Sequence, residues 1–224
     1  MPHSGHAGLT RVLAIRHGET AWNVDARIQG HLDIALNDTG RRQAMQLAQA
    51  LATGDRPDAL YSSDLSRARD TAQAIAEVCD LPLQLETGLR ERCFGQFQGH
   101  TAEEVRARAP DLAERWRQRD PAFTPPDGES LLAFSARCVD TVLKLVARHP
   151  GQTVAVVAHG GVLDCLYRAA TGLSLQAPRG WSIDNASVNR LLYNGGRLTL
   201  SGWGDVSHLA CADVGLDDAA DAVM

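Results

Sequence analysis

The stretch that decides the fold is VLAIRHGETAWN, residues 12–23. It begins with four consecutive apolar residues, a pattern typical of a strand buried on both faces. It then turns at Gly18, directly after Arg16 and His17. A turn needs only the glycine, so the cation and the imidazole require another explanation. We expect them at the carboxyl end of a strand, where open α/β sheets bind their ligands.

Strand-like and helix-like segments alternate along the rest of the chain. Apolar runs rich in Val, Leu and Ile predict the strands, and apolar residues at helical spacing predict the helices. Strands are predicted to end near Ile15, Ser62, Glu91 and His159, and a hairpin is predicted around residues 194–196. Helices are predicted over about 39–53, 66–80, 100–119, 130–149 and 162–172.

This alternation is typical of an α/β fold, and we expect a single domain over residues 1–224. It predicts three layers, with a mostly parallel central sheet and helices on both faces. Residues 100–127 interrupt the alternation and are expected to form a small helical cap insertion. Residues 1–9 and 207–224 lack such a pattern, so we expect flexible tails there.

The composition argues against several classes of function. The formal net charge of −5 disfavours a nucleic-acid partner held by a broad basic surface. No apolar run is long enough to predict a membrane helix, so no membrane partner is expected. The five cysteines are odd in number and form no CxxC pair, which favours free thiols in a reducing, cytoplasmic compartment. The oligomeric state stays open between monomer and homodimer.

Charged residues gather where the predicted strands end. Arg16 and His17 follow the first strand, and His159 follows the fourth, at the start of a helix. Glu91 closes the third strand, and Arg67 lies just inside the helix after the second. Arginine side chains match phosphate oxygens and keep their charge, and a helix N-terminus favours an anion. We therefore expect these residues to meet around a phosphate group.

Seven motifs occur in a fixed order along the chain. They are RHGETAWN, RIQGHLDIALNDTG, SSDLSRARDTA, LRERCFGQFQG, PPDGES, AHGGVL and DNASVNRLLY. Together they resemble the signature of the histidine phosphatase superfamily, also called the phosphoglycerate mutase-like family. The resemblance covers residues 12–193 and implies a phosphoglycerate mutase-like fold.

The resemblance implies a catalytic role for each of the five charged residues. His17 matches the histidine that becomes phosphorylated. Arg16, Arg67 and His159 match the residues that hold the phosphoryl group together with it. Glu91 matches the general acid, which later acts as the base. The family needs no metal for this step, so no metal or other cofactor is expected.

Further residues are predicted around the site. The resemblance implies four positions that line the phosphate or substrate mouth: Asn23, Gln29, Gly30 and Gly160. Arg92, beside Glu91, either approaches the far end of the substrate or lies on the surface. Ser130 or Glu129, in PPDGES, is expected to cap the following helix.

Residues that differ from the mutase pattern favour hydrolysis over the mutase reaction. Phe94 stands where the cofactor-dependent mutases have a tyrosine, and Ala102 stands where they carry a lysine. The insertion after Gly99 is short, and its arginines are expected on a solvated helix face: Arg115, Arg117 and Arg119. We therefore expect a phosphatase that acts on a small phosphorylated metabolite. The alternative is a mutase dependent on 2,3-bisphosphoglycerate.

Two other classes of function stay open. A metal hydrolase would use His17, His159 and Glu91 as ligands, but their spacing matches no common metal motif and Arg16 would repel a cation. A non-catalytic module that binds a phosphorylated ligand would not need the nucleophile and the acid that this sequence retains.

Overall fold

The computed structural model describes residues 8–212 of the chain. The predicted tails therefore lie largely outside the described residues, at positions 1–7 and 213–224. Residues 207–212, predicted to belong to the second tail, form a short 3-10 helix, because Leu209 packs against the core.

The strands are β1 (Thr10–Arg16), β2 (Ala59–Ser62), β3 (Leu83–Leu85), β4 (Thr153–Ala158), β5 (Val188–Asn194) and β6 (Arg197–Asp205). The α-helices are α1 (Ala21–Val24), α2 (Asp38–Thr53), α3 (Ser66–Cys79), α4 (Ala102–Arg108), α5 (Pro110–Arg117), α6 (Leu131–Val146) and α7 (Gly160–Thr171).

One six-stranded sheet collects the described strands in the order β3-β2-β4-β1-β5-β6. β1, β2, β3 and β4 run parallel to their neighbours in this group, whereas β5 and β6 are added antiparallel. In the register of β1 and β4, Arg16 lies opposite Ala158, so the residues that follow both strands emerge at one edge. The mostly parallel sheet confirms the predicted fold class.

The helices cover both faces of the sheet, as predicted. Val12 and Ala14 of β1 belong to the core cluster that contains α6 and α7. Leu13 and Ile15 point the other way, into the cluster that contains α2 and α3. Because successive side chains of a strand alternate between faces, a strand buried on both sides must be apolar throughout. This explains the unbroken apolar run that precedes Arg16.

The cap insertion contains two helices where the sequence predicted one over 100–119. The helix breaks at Ala109 (φ −144°, ψ 69°), because the ring of Pro110 disfavours a helical conformation in the residue before it. α4 and α5 bury their apolar faces against a small aromatic cluster that includes Phe97 and Phe123. The cap thus has a core of its own beside the main sheet.

Residues at helix ends and in the hairpin adopt the conformations that these positions require. The Ser130 hydroxyl accepts a hydrogen bond from the Ala133 N–H and caps α6, whereas Glu129 instead pairs with Arg137. Gly172 ends α7 in the left-handed region, at φ +73°. The hairpin turns through two glycines between β5 and β6, as predicted.

Within residues 8–212, no helix has the length and apolar character needed to cross a membrane.

Candidate active site

Two histidines from neighbouring strands lie side by side at the carboxyl edge of the sheet. His17 follows β1, and His159 is the N-cap residue of α7, directly after β4. Their ring centroids are 5.3 Å apart, and both side chains are buried. The pairing of β1 with β4 therefore brings together two His-Gly turns that are far apart in the sequence.

The tautomer of His17 is fixed by the backbone carbonyl oxygen of the next residue. Its Nδ1 lies 2.6 Å from the carbonyl oxygen of Gly18, which can only accept, so Nδ1 carries the proton. Burial lowers the pKa of His17 well below its ordinary value, and Arg16 and Arg67 lower it further. The imidazole is therefore neutral at neutral pH, with a lone pair on Nε2. This is the state that a nucleophilic histidine needs.

A serine holds the second histidine. His159 Nε2 lies 2.8 Å from the hydroxyl oxygen of Ser63, which also accepts from the Leu65 N–H. Among residues 8–212 that hydroxyl has no other acceptor for its proton, so we assign its proton to the bond with Nε2, which makes Nδ1 of His159 a donor. Burial and the nearby Arg67 lower the pKa of His159 well below its ordinary value. Ser62 ends β2, as predicted, but its side chain donates to the Ser63 carbonyl oxygen, and the side chain that contacts His159 is that of Ser63.

Backbone carbonyls orient the two arginines. Arg16 donates from Nη1 to the Ile183 oxygen at 2.6 Å. Arg67, on α3, donates to the Leu32 oxygen at 3.0 Å and to the Gly30 oxygen at 2.8 Å. Burial lowers the pKa of Arg67 to about 10, and the negative charge of Glu91 opposes the shift. Both guanidinium groups therefore stay charged at neutral pH.

Three buried nitrogen atoms in this group have no hydrogen-bond partner among residues 8–212. They are Nε of Arg16, Nε of Arg67 and Nδ1 of His159. A buried donor without a partner costs about 1–3 kcal/mol, so such a set indicates a ligand that accepts all three bonds. The N-terminus of the twelve-residue α7 starts at the same place and favours negative charge. A phosphate group satisfies all of these demands.

Glu91 reaches the site from a loop. The prediction that it closes the third strand is wrong, because β3 ends at Leu85 and a short 3-10 helix, Thr87–Leu89, comes between. Its carboxyl oxygens accept from the Arg92 N–H at 2.8 Å and from the Gly161 N–H at 2.9 Å. Glu91 therefore lies at the same helix N-terminus as His159.

The remaining predicted residues lie around this group in different ways. Asn23 completes the capping box of the short helix α1, whose N-cap is Thr20, by accepting from the Thr20 N–H. Its side-chain oxygen also accepts from Asn185, which donates to the His17 carbonyl oxygen as well. Gln29 is buried, and its side-chain oxygen has no partner among the described residues. Gly30 supports Arg67 through its carbonyl oxygen, as stated above. The Cβ position of Gly160 would lie 3.7 Å from Arg16 Nε.

A cavity of about 260 Å³ opens beside Glu91, between the cap and α7. Arg92 lines it and is only 5% exposed. Of the two positions predicted for Arg92, the one on the surface is therefore wrong.

Arg119 also lines the cavity and pairs with Asp164 of α7 at 2.6 Å. The expectation that Arg119 lies on a solvated helix face is wrong, because it follows α5 with φ +54° and turns inward. Arg115 and Arg117 do lie outward, paired with Asp120 and Glu114.

The site chemistry matches a known family. No cluster of three or more His, Cys, Asp or Glu side chains that could bind a metal occurs in the part of the chain that the structure describes. The profile of the histidine phosphatase superfamily, branch 1, matches residues 12–206. The chain belongs to the histidine phosphatase superfamily.

Named relatives include both phosphatases and mutase-like proteins. The chain is 39% identical over 201 residues to phosphoglycerate mutase-like protein 4 of Arabidopsis thaliana, covering 88% of this chain and 86% of the relative. It is 37% identical over 204 residues to a metal-independent phosphoserine phosphatase of the same plant, covering 90% and 84%. The structure matches a phosphoserine phosphatase from Entamoeba histolytica, solved with 3-phosphoglyceric acid, with a TM-score of 0.80 at 28% identity, covering 89% and 99%.

Proposed function

We propose that this protein is a metal-independent phosphomonoester hydrolase that works through a phosphohistidine at His17. The observation that carries the proposal is the arrangement around that ring. A neutral imidazole, with its proton fixed on Nδ1, lies among three buried donors that lack partners. A neutral nucleophile beside a set of anion-binding donors is what phosphoryl transfer requires.

The first step transfers the phosphoryl group to the enzyme. His17 Nε2 attacks phosphorus and forms an N–P bond while the bond to the ester oxygen breaks. The Nε donors of Arg16 and Arg67, with Nδ1 of His159, stabilise the charge on the equatorial oxygens. Glu91 gives its proton to the ester oxygen, so the alcohol leaves neutral.

The second step returns the enzyme to its starting state. A water molecule attacks phosphorus, and the Glu91 carboxylate takes its proton. The N–P bond breaks, inorganic phosphate is released, and His17 recovers its lone pair. The same carboxyl group thus acts first as acid and then as base, and it lies at the helix N-terminus beside His159.

Hydrolysis is favoured over mutase chemistry by two residues of the cap region. Phe94 lines the cavity beside Glu91 with an apolar ring. Ala102 is the first residue of α4, is exposed, and offers no charge to a second phosphate. A mutase must hold a bisphosphate, so its site needs cations for both phosphates.

A panel of phosphate esters, assayed with and without 2,3-bisphosphoglycerate, tests the proposal. We expect phosphate release that does not depend on the bisphosphate, and that is lost in His17→Ala. Isomerisation of 3-phosphoglycerate that requires the bisphosphate would establish the mutase instead. Binding of phosphate with no turnover of any ester would establish a non-catalytic module.

We also propose a single domain over residues 1–224 and a reducing, cytoplasmic location. The single sheet supports the first, and the second is supported by four free thiols among the described residues: Cys79, Cys93, Cys138 and Cys165. A monomer or a homodimer stays the prediction for the assembly, and sedimentation of the purified protein distinguishes them.

A further inference from the structure

The main chain that carries Glu91 is not part of the sheet. Glu91 lies well beyond Leu85, the last residue of β3, and its carboxyl group accepts from the Gly161 N–H of α7. Backbone outside a strand has no ladder of hydrogen bonds to fix its course, so its polar groups need other partners. The position of the carboxyl group therefore depends on the contacts that hold this loop.

Arg137 of α6 holds the loop with a single guanidinium group. Its Nη1 donates to the carbonyl oxygens of Gly88 at 2.9 Å and of Arg90 at 3.1 Å. Its Nη2 donates to the carbonyl oxygen of Glu91 itself at 3.3 Å. Because a guanidinium is planar and rigid, the three carbonyl groups that bind it are fixed relative to one another. The backbone from residue 88 to residue 91 is therefore held against α6.

Glu129 orients the guanidinium of Arg137. Its two carboxyl oxygens accept from Nε of the arginine at 3.0 Å and from Nη2 at 2.8 Å, which makes a bidentate pair. Together with the three carbonyl contacts, these bonds use all five N–H donors of the side chain. The centroid of the Phe134 ring lies 5.3 Å from the guanidinium carbon and adds a cation–π contact. Every donor of Arg137 thus binds either Glu129 or the loop that carries Glu91.

Two further contacts hold the same loop. A Cβ on Gly88 would lie 2.3 Å from the hydroxyl oxygen of Thr141, one turn after Arg137, so the loop packs closely on α6. His31 Nε2 lies 2.7 Å from the carbonyl oxygen of Glu91, which can only accept, so His31 donates this bond. The Glu91 carbonyl oxygen therefore accepts from two side chains, those of Arg137 and His31.

We propose that Arg137, oriented by Glu129, is a positioning residue for Glu91. The proposal rests on the proposed hydrolase function, in which Glu91 is the general acid, and adds the residue that sets the position of that acid. Proton transfer requires hydrogen-bond geometry, and a displacement of about 1 Å can cost about 100-fold in rate. Arg137 acts on the backbone of the loop, so its loss should impair proton transfer to the leaving group more than attack by His17.

Two aryl esters that differ in their need for an acid test the proposal. Phenyl phosphate has a poor leaving group that needs a proton, whereas the leaving group of p-nitrophenyl phosphate needs little help. Both esters give the same phosphohistidine, so the ratio of their kcat/KM values reports on the first step alone. In Arg137→Ala we expect kcat/KM for phenyl phosphate to fall about tenfold more than that for p-nitrophenyl phosphate. An equal loss for both esters, or no loss for either, overturns the proposal.

Arg137→Lys decides the question if Arg137→Ala does not fold, which circular dichroism shows. Lysine keeps the charge and can bind Glu129, but it lacks the planar fork that joins the carbonyl groups. We expect a shift of the ratio in the same direction and of smaller size. In that case an unchanged ratio in folded Arg137→Lys overturns the proposal.

Arg117→Ala is the matched control. Arg117 of α5 forms a bidentate pair of the same kind with Glu114, at 2.7 and 2.6 Å. It is exposed, and it donates to no backbone oxygen in the part of the chain that the structure describes. Its loss should leave the ratio unchanged. A shift as large as that of Arg137→Ala would show that loss of any such pair is enough, and overturns the proposal.

The proposed function is judged separately with the wild-type protein. Hydrolysis of p-nitrophenyl phosphate that is lost in His17→Ala, combined with equal losses for both esters in Arg137→Ala, refutes the positioning role alone. Failure of the wild-type protein to hydrolyse either ester refutes the proposed function, and the positioning role with it.

Discussion

The proton on His17 Nδ1 and the proton on His159 Nδ1 have different origins. The Gly18 carbonyl oxygen accepts from Nδ1 of His17 and so keeps the proton there. In His159, the Ser63 hydroxyl donates to Nε2, so the ring proton lies on Nδ1. Both rings are buried, and both have pKa values held low by burial and by nearby arginines. At the residue scale, the site is therefore a pair of neutral imidazoles, of which His17 is the proposed nucleophile and His159 the proposed donor.

Ser63 positions His159, and its removal should slow catalysis. Ser63→Ala deletes the hydrogen bond to Nε2, which frees the ring to exchange its proton between nitrogens. Since one such bond contributes about 1 kcal/mol, we expect kcat to fall about fivefold while the fold is retained. Steady-state kinetics measure this, and Ser62→Ala, one residue away, is the control with a change below twofold. Wild-type kcat in Ser63→Ala would refute the assigned proton.

The low pKa values of His17 and His159 should make the protein less stable in mild acid. In the unfolded chain these histidines titrate near pH 6.5, whereas in the folded protein they stay neutral to lower pH. As the pH falls from 7 to 5 the unfolded state binds more protons, so the free energy of unfolding falls. Each histidine contributes up to about 1.4 kcal/mol per pH unit below its unfolded pKa.

Urea denaturation at pH 7, 6 and 5 measures this dependence. His159→Gln should reduce the slope of unfolding free energy against pH in the wild-type protein, because one of the two buried imidazoles is gone. A wild-type stability that is flat over this range, or a slope that the substitution does not alter, contradicts the assigned charges.

At the scale of elements, the N-terminus of α7 joins the acid to the phosphate site. Gly161 leaves room there for Glu91, whereas a Cβ on Gly160 would make only an ordinary contact, 3.7 Å from Arg16 Nε. A Cβ on Gly161 would lie 2.2 Å from Glu91 Oε1 and 3.1 Å from a ring carbon of Phe134. The second glycine of AHGG is therefore required by the position of Glu91, the proposed general acid.

Gly161→Ala should displace Glu91 and impair proton transfer. General acid catalysis contributes about 10²–10⁴-fold, so we expect kcat for an alkyl phosphate to fall about 100-fold. Hydrolysis of p-nitrophenyl phosphate should fall much less, because that leaving group needs little help from an acid. Gly202→Ala, where a Cβ meets only ordinary contacts with Arg190, should match the wild-type protein. Equal losses for both esters would point to general misfolding.

Asp164 connects the cap to α7, and its charge should matter for stability. It pairs with Arg119 of the cap and with Arg168, and both Asp164 and Arg168 are buried. Asp164→Asn should lower the free energy of unfolding by about 3–5 kcal/mol, since it leaves a buried cation unpaired. Urea denaturation measures the loss.

A matched pair on α6 provides the control for this substitution. Asp140 and Lys144 have the same four-residue spacing but are exposed, so Asp140→Asn should change stability by at most about 0.5 kcal/mol. Similar small losses for both substitutions would show that the buried pair does not hold the cap.

At the scale of the whole molecule, topology determines how much the sequence can predict. Parallel strands end at one edge, so residues after β1 and β4 must meet, and the motif order was enough to predict that Arg16, His17 and His159 lie together. Glu91 was predicted at the site but on the wrong element, because the predicted strand was extended over residues 86–90, beyond Leu85, where the strand pairing stops.

Other features depend on contacts that no local pattern encodes. Ser62 and Ser63 are identical in type, and only the strand register decides which one reaches His159. Arg119 turns inward because the backbone adopts a left-handed conformation after α5, which the charge pattern of the helix does not reveal. Arg179 comes from a segment without periodicity or motif, and only the folded chain brings it to the cavity that Glu91 also lines.

Trapping the covalent intermediate tests the central claim most directly. The protein is mixed with a hydrolysable phosphate ester, quenched in alkali, where phosphohistidine survives, and mapped by mass spectrometry of its peptides. We predict one phosphoryl group on the peptide that contains His17, acid-labile and absent from His17→Ala. Turnover at the full rate with no phosphoryl group on the protein, or with the group on another residue, would contradict the account.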